Sequence, residues 1–328
     1  MRDDLPTPEL RTPTEVRVRV RAAALNHLDL FVLHGLPGVT IVPPWIVGAD
    51  ACGVVDSVGE DVRHVERGDL VVVNPGVSDR ICDFCRAGEH SLCVRYKLLG
   101  EHLPGTIAEL IVVPATNVRA IPKAIDSNSA AAFPLVTLTA WRMVHTRAQV
   151  RRGERVLIWG IGGGAATAAL QICKQIGAEV WVTSRSDEKL ARAKQLGADH
   201  VLNSGDDVPA LIRQATAKAG VDVVIDDVGQ ATWSRSIQAL GRRGRLVTCG
   251  ATSGPLVETD VRRVFWNQLT IAGSTMGNDA EFDAIVRELR AGRLLPPIDS
   301  VFPLAQGRAA FERLASGKQF GKVVISLE

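Results

Sequence analysis

The chain has no excess of charge of one sign. Its 328 residues include 38 basic and 36 acidic side chains, so the electrostatic footprint of a nucleic-acid or anionic-membrane binder is missing. No stretch approaches the roughly 18 uninterrupted apolar residues of a membrane span. The opening MRDDLPTPEL reads as neither a signal peptide nor a transit peptide. Six cysteines without a secretory signal point to reduced thiols or metal ligands rather than disulfides. Internal repeats and low-complexity segments are absent too. What these absences leave is a cytoplasmic enzyme without nucleic-acid or membrane partners. An apolar content of 46% is ample for the cores of two domains at this length.

The most informative stretch is residues 155–185, RVLIWGIGGGAATAALQICKQIGAEVWVTSR. An apolar β-rich run breaks into glycines, a helix-period segment follows, and a second apolar run ends near Thr183. This is one strand–turn–helix–strand unit with Gly160-x-Gly162-x-x-Ala165 at its first turn. Gly160 permits the turn, Gly162 lets a pyrophosphate reach the backbone, and small Ala165 lets helix and strand pack closely. With Gly163, the turn delivers the unpaired N–H groups and positive dipole end of a helix to phosphate. In an NAD site an acidic side chain at the end of the second strand takes the ribose 2′-hydroxyl. Here that position, counted back from Lys189-Leu190-Ala191-Arg192-Ala193-Lys194, is Ser184, followed by Arg185. A hydroxyl and a guanidinium fork suit a 2′-phosphate, so NADP(H) is expected over NAD(H). The competing reading has Asp187 or Glu188 meeting the ribose.

Along the chain, the first 120 or so residues are β-rich, with strands at 15–20, 53–58 and 69–73. Residues 129–145 are helix-like with Pro134 as an interruption. From 154 the pattern becomes strand–helix alternation. Strands are expected at 155–160, 179–183, 199–202, 221–226, 244–249 and 268–274, with helices near 164–176, 187–196, 207–219, 231–240 and 279–291. The fold class is α/β: a Rossmann doubly wound six-stranded parallel sheet beside a β-rich domain. The final helix near 305–316 and strand 322–326 return to the β-rich domain. The expected division is 1–124 with 298–328, and 125–297. A split domain around a nucleotide domain leaves a cleft for ligands.

Asp79-x-x-Cys82-x-x-Cys85-x7-Cys93 has metal-ligand spacing inside a polar lobe at 76–96. Two thiols in C-x-x-C grip one ion from a single turn, a loop return brings the third, and a carboxylate completes a closed tetrahedral zinc site. The alternative is three free thiols beside a solvated Asp79. Cys52, Cys173 and Cys249 lie in apolar contexts and read as core thiols.

The order of the pieces resembles the medium-chain dehydrogenase/reductase superfamily, which joins zinc alcohol dehydrogenases to quinone oxidoreductases. The resemblance is carried by Gly48-Ala49-Asp50-x-x-Gly53-Val54-Val55-x-x-Val58-Gly59, Gly68-Asp69-x-Val71, Thr139-Ala140-Trp141, the glycine turn, Ala193-Lys194-x-x-Gly197-Ala198-Asp199, Gly273-Ser274 and Gly321-Lys322-Val323-Val324. It implies a GroES-like catalytic domain for the β-rich part. It also implies about 20 further residues of strand ahead of segment 4–9, whose loss would expose a sheet edge. The family's structural-zinc lobe has four cysteines; Asp79 replaces the first, and one structural zinc is expected.

The family's catalytic zinc ligands correspond to Asn26, Ala49 and Leu135, none of which ligates zinc in the expected way. The resemblance therefore implies a zinc-independent NADPH reductase acting on an acceptor that is already electrophilic, a quinone or an α,β-unsaturated carbonyl. Asn26 is expected to donate its amide N–H to the substrate oxygen, with Asp29 and Asp50 orienting neighbours. His27 and His102 are candidate proton donors. The family pattern assigns Thr139, Val228, Gly250 and Ser274 to the cofactor pocket, with Asp227, Gly229 and Ala251 beside them, and Lys322 to a phosphate or ribose. Similar folds pair the 268–274 edge across a two-fold, so a homodimer is expected. Trp45, Phe265 and Trp266 hint at a small hydrophobic acceptor, or belong to the core. Two rival readings remain: an alcohol dehydrogenase that recruits metal through His27, Asp29 or Asp50, and a non-catalytic NADPH-binding or redox-sensing protein.

Overall fold

The computed structural model describes residues 4–36 and 38–328. Residues 1–3, which fall in the opening segment considered above, and Pro37 lie outside them. The chain divides into two compact units, 1–138 with 277–328 and 139–276. The helices between 127 and 138 and the helix Asp279–Arg290 thus belong to the first unit, whereas the expected division, 1–124 with 298–328 and 125–297, put them in the second.

The first unit is built on a seven-stranded sheet. Its path runs Ile298–Pro303, Lys322–Ser326, Glu15–Ala24, Asp50–Val58, Leu70–Val73, Val118–Ala120, with Leu110–Pro114 also paired to Glu15–Ala24. Glu15–Ala24 forms a strand because its valines alternate with charged residues: Val16, Val18 and Val20 are buried and Arg19 is exposed. They pack with Val55, Val71, Val73, Ile111 and Val113. Each buried valine contributes about 1.5 kcal/mol or more. A second cluster places Leu25 with Ala310, Leu314, Val323 and Ile325 under the helix Gly307–Ala315. The register fixes the site: Ala24 pairs with Asp50 on one side and Val324 on the other.

The second unit holds a six-stranded parallel sheet in the order His200–Asn203, Glu179–Ser184, Arg155–Ile158, Val221–Asp226, Leu240–Thr248, Thr270–Gly273. The order reverses between Arg155–Ile158 and Val221–Asp226, the switch point at which doubly wound sheets bind ligands. Helix Gly164–Ile176 lies where its apolar period predicts, and Gly177 in the left-handed region (φ 85°) ends it. Pro134 does not interrupt a helix but begins one, Pro134–Trp141, after a shorter helix Ser127–Ala131. That is the position where its missing N–H costs nothing. No helix among the described residues is long and apolar enough to cross a membrane.

Candidate functional site

In the first unit, the register around Ala24 brings together three side chains that are far apart in sequence. Asn26 follows the strand as N-cap of helix His27–His34, Asp50 opens the next strand, and Lys322 opens the strand on the other flank. The Lys322 ammonium lies 2.5 Å from Asn26 Oδ1 and 2.9 Å from Asp50 Oδ2. Asn26 Nδ2 donates to the same carboxylate oxygen at 2.9 Å and to the Ala24 carbonyl at 3.3 Å. The other oxygen of Asp50 accepts the Leu135 N–H, 2.7 Å away at the N-terminal turn of helix Pro134–Trp141, where a carboxylate is favoured by the helix dipole. Lys322 is 2% exposed and Asn26 6%. A charge pair this deep persists only because every partner is hydrogen-bonded.

Two sequence expectations change here. Both amide hydrogens of Asn26 are taken, by Asp50 and Ala24, so Asn26 positions Lys322 rather than offering an N–H outward. Lys322, read as a phosphate or ribose contact, is committed to the carboxylate and amide inside its own unit. Asp29 works as a clamp: its carboxylate accepts the Asn26 and Gly48 N–H groups at 2.8 and 3.0 Å, and burial pushes it up to about 6. His27 is exposed. His102 accepts the Leu98 N–H through Nδ1 and sits 3.8 Å from Glu101, holding its own turn.

In the second unit the glycine turn has the predicted form. Gly160 and Gly162 take φ of 67° and 124°, values open to glycine and strained for other residues. The Gly160 N–H reaches Thr183 Oγ1 and the Ile161 N–H the Thr183 carbonyl, tying the turn to the second strand. Gly163 is the N-cap of helix Gly164–Ile176 with no side chain over its first turn, so the helix N–H groups there suit an anion. Ala165 lies in that first turn. Val228 and Gly250 close on the same place: Val228 Cγ2 stands 3.3 Å from where a Gly160 side chain would begin, and the Asp227 carbonyl 3.0 Å from the equivalent point at Gly250. Thr139 is buried against Met276. Ser274 keeps a buried hydroxyl with no partner among the described residues, a polar atom a dinucleotide would satisfy. Ser184 ends its strand buried, accepting the Ser186 N–H, while Arg185 is exposed. Lys189 lies in the first turn of helix Asp187–Gln195.

The cysteine lobe is closed by a two-stranded ladder, Gly76–Leu98 and Val77–Lys97. Inside it, ligand atoms of Asp79, Cys82, Cys85 and Cys93 all lie within 4.8 Å of one another, the one such cluster among the described residues. The donor set fits tetrahedral zinc. Cys93 Sγ accepts the Asp79 and Arg95 N–H groups at 3.2 and 3.3 Å, and Asp79 Oδ1 accepts those of Ile81 and Cys82 at 3.0 Å. The N–H groups of Cys82 and Ile81 hold the Asp79 carboxyl far below the usual range, and its buried Oδ2 has no hydrogen-bond partner. Of the other thiols, Cys52 and Cys173 are core, while Cys249 is only half-buried.

Residues 12–123 match the family model for an alcohol dehydrogenase GroES-like domain, and residues 164–291 that for a zinc-binding dehydrogenase. Over 99% of its length the chain is 32% identical to a zinc-type alcohol dehydrogenase-like protein of Schizosaccharomyces pombe, 94% of which is covered. It is 29% identical to an acryloyl-coenzyme A reductase of Sulfurisphaera tokodaii, over 95% of this chain and 92% of that one. The crystal structure of an NAD-dependent alcohol dehydrogenase shares 43% identity and superposes with a TM-score of 0.95, covering 99% of this chain and 95% of the other.

Proposed function

Because the chain belongs to the medium-chain dehydrogenase/reductase superfamily, and so is an NAD(P)H oxidoreductase, we propose that it is an NADPH-dependent reductase of quinones or α,β-unsaturated carbonyls that works without a metal at the reacting centre. One observation carries the reading. Where the family's zinc alcohol dehydrogenases place catalytic ligands, this chain has Asn26, Ala49 and Leu135, and beside them a buried ammonium held by Asn26 and Asp50. Ala49 and Leu135 have no donor side chain, and the Asn26 amide is already committed.

The dinucleotide supplies a hydride. The chain's own residues have two tasks. The glycine turn and the helix start at Gly164 hold the pyrophosphate. Lys322, fixed by two acceptors and keeping a third N–H, provides the positive charge that a reduced acceptor needs as its oxygen gains electron density. Such a charge suffices for an acceptor already electrophilic, and an unactivated alcohol would need the Lewis acid. That one relative is named for reducing an acryloyl thioester supports the choice of acceptor.

Ser184 and Arg185 support NADPH over NADH, although relatives are named NAD-dependent. Arg185→Leu is expected to lower kcat/KM for NADPH by about 10- to 100-fold while leaving NADH unchanged; equal losses with both cofactors would remove Arg185 from the 2′-phosphate. We further propose a homodimer built on the edge strand Thr270–Gly273. The helix Val261–Trp266 beside it in sequence buries no residue, and Phe265 and Trp266 are 65% and 74% exposed, which removes them from the core and marks a contact face. Phe265→Ser with Trp266→Ser should halve the mass seen by light scattering; an unchanged mass would place the contact elsewhere.

The activity test is NADPH oxidation with 1,4-benzoquinone and a small enone, set against alcohol oxidation with NADP+. Turnover of the acceptors supports the proposal. Tight NADPH binding with no acceptor turned over would move the reading to a binding or sensing role.

A further inference from the structure

Two neighbouring carboxyls end the strand Val221–Asp226, and they have opposite surroundings. Asp226 accepts hydrogen bonds from the Val228 and Gly229 N–H groups and from the Thr232 and Ser236 hydroxyls. The Asp227 carboxyl accepts none from any other described residue; only its own N–H faces it, while its backbone carbonyl accepts the Thr252 N–H and hydroxyl. Its Oδ1 lies 4.0 Å from where a Gly160 side chain would begin, and its side chain lines a small crevice with Met143, Ile158, Trp159, Ala165, Ala166 and Ile225. The crevice is therefore walled by Ile158 and Trp159 just ahead of the glycine turn, by the first turn of helix Gly164–Ile176 and by the switch-point strand, and its one donor, the buried Trp159 indole N–H, makes no hydrogen bond to the carboxyl.

We propose that Asp227 couples dinucleotide binding to proton uptake: its carboxyl is protonated when the pyrophosphate settles on the glycine turn. This rests on the dinucleotide reading of that turn. A pyrophosphate carries negative charge to the Gly160 and Gly162 backbone, and an ionised Asp227, half-buried beside Gly160, repels it. A protonated Asp227 does not, and its O–H becomes a donor for a phosphate or ribose oxygen. The surroundings agree. Burial, and next the charge of Asp226, push the Asp227 carboxyl up to about 7. The titratable groups facing it are Asp226 and the Cys249 thiol, itself pushed up by burial and by Asp227. No cation is among them, and the lining from 143, 158–159 and 165–166 is uncharged.

The sign follows from linkage. Below about pH 7 the group already carries its proton and binding is pH-independent; above it, binding must take up one proton, and affinity falls about tenfold per pH unit. The test is the dissociation constant of NADPH and, separately, NADH between pH 6 and 9, read by reduced-nicotinamide fluorescence in the wild type and in Asp227→Asn. The NADH series removes the 2′-phosphate as a source of the slope. Expected for both cofactors are a wild-type Kd rising about tenfold per unit above pH 7 and a flat profile for Asp227→Asn, which binds at least tenfold more tightly at pH 8.5. Calorimetry on the unaltered protein in two buffers of different ionisation enthalpy should count about one proton taken up at pH 8. A flat wild-type profile, or a slope that survives in Asp227→Asn, overturns the coupling while leaving the dinucleotide site in place. Failure of either cofactor to bind at any pH overturns both.

Discussion

Lys322→Met is expected to destabilise the first unit by about 3–5 kcal/mol, because it leaves the buried Asp50 carboxylate without its cation. Asp50 is wholly buried, so the uncompensated charge has no route to water. The partner substitution separates this from simple loss of packing: Asp50→Asn added to Lys322→Met removes the stranded charge, and most of the stability should return, as read by denaturant midpoint. Activity should behave differently. If Lys322 supplies the field that stabilises the developing oxyanion, the refolded double variant still loses roughly 10²- to 10³-fold in kcat. A double variant that regains both stability and kcat would leave Lys322 a structural residue only.

The second large effect concerns the lobe at 76–98. Cys85 is buried with Asp79, Cys82 and Cys93 around it, and burial pushes its thiol up to about 12; a cation among the sulfurs offsets that burden. If this cluster holds the expected zinc, Cys85→Ser should cost the protein that ion, and with it the lobe's order, since metal binding at such sites contributes on the order of 10 kcal/mol. Limited proteolysis should then cut between 76 and 98 at least tenfold faster. Zinc retained at one ion per chain in Cys85→Ser would show that the metal lies elsewhere. The lobe is also tied by contacts of Arg80 and His90 with Asp279 and by the Asn117 amide on the Gly76 carbonyl, which do not replace a metal.

The parts of this molecule that were legible in its sequence are those with local causes. Helix Gly164–Ile176 announces itself by apolar period and a terminal glycine, and the glycine turn by residues whose backbone geometry only glycine takes easily. The cysteine lobe is legible because its four ligands come from one short loop. The Lys322 cluster is not. Lys322 and Asp50 are 272 residues apart, and only the register that sets Ala24 between Asp50 and Val324 brings them together. Composition and spacing carry no record of that register, so the family pattern alone spoke for Lys322 and sent it to a phosphate. Asn26 was placed at the right turn with the wrong polarity of use, since which of its amide hydrogens are taken depends on a carboxylate from another strand. Asp227 shows the same limit: two adjacent aspartates read alike, and the Val228 and Gly229 N–H groups with the hydroxyls of Thr232 and Ser236 distinguish the satisfied one from the other.

Hydride transfer without a metal at the reacting centre fixes how much zinc the active enzyme carries. Metal content per chain, measured by mass spectrometry on the same preparation that reduces the enone, should be about one, the complement of a single closed four-ligand site. That zinc should resist brief chelation with no loss of rate. Two zinc ions per chain, one of them removed by chelator together with the activity, would place a metal at the reacting centre and return this chain to the metal-dependent alcohol dehydrogenases.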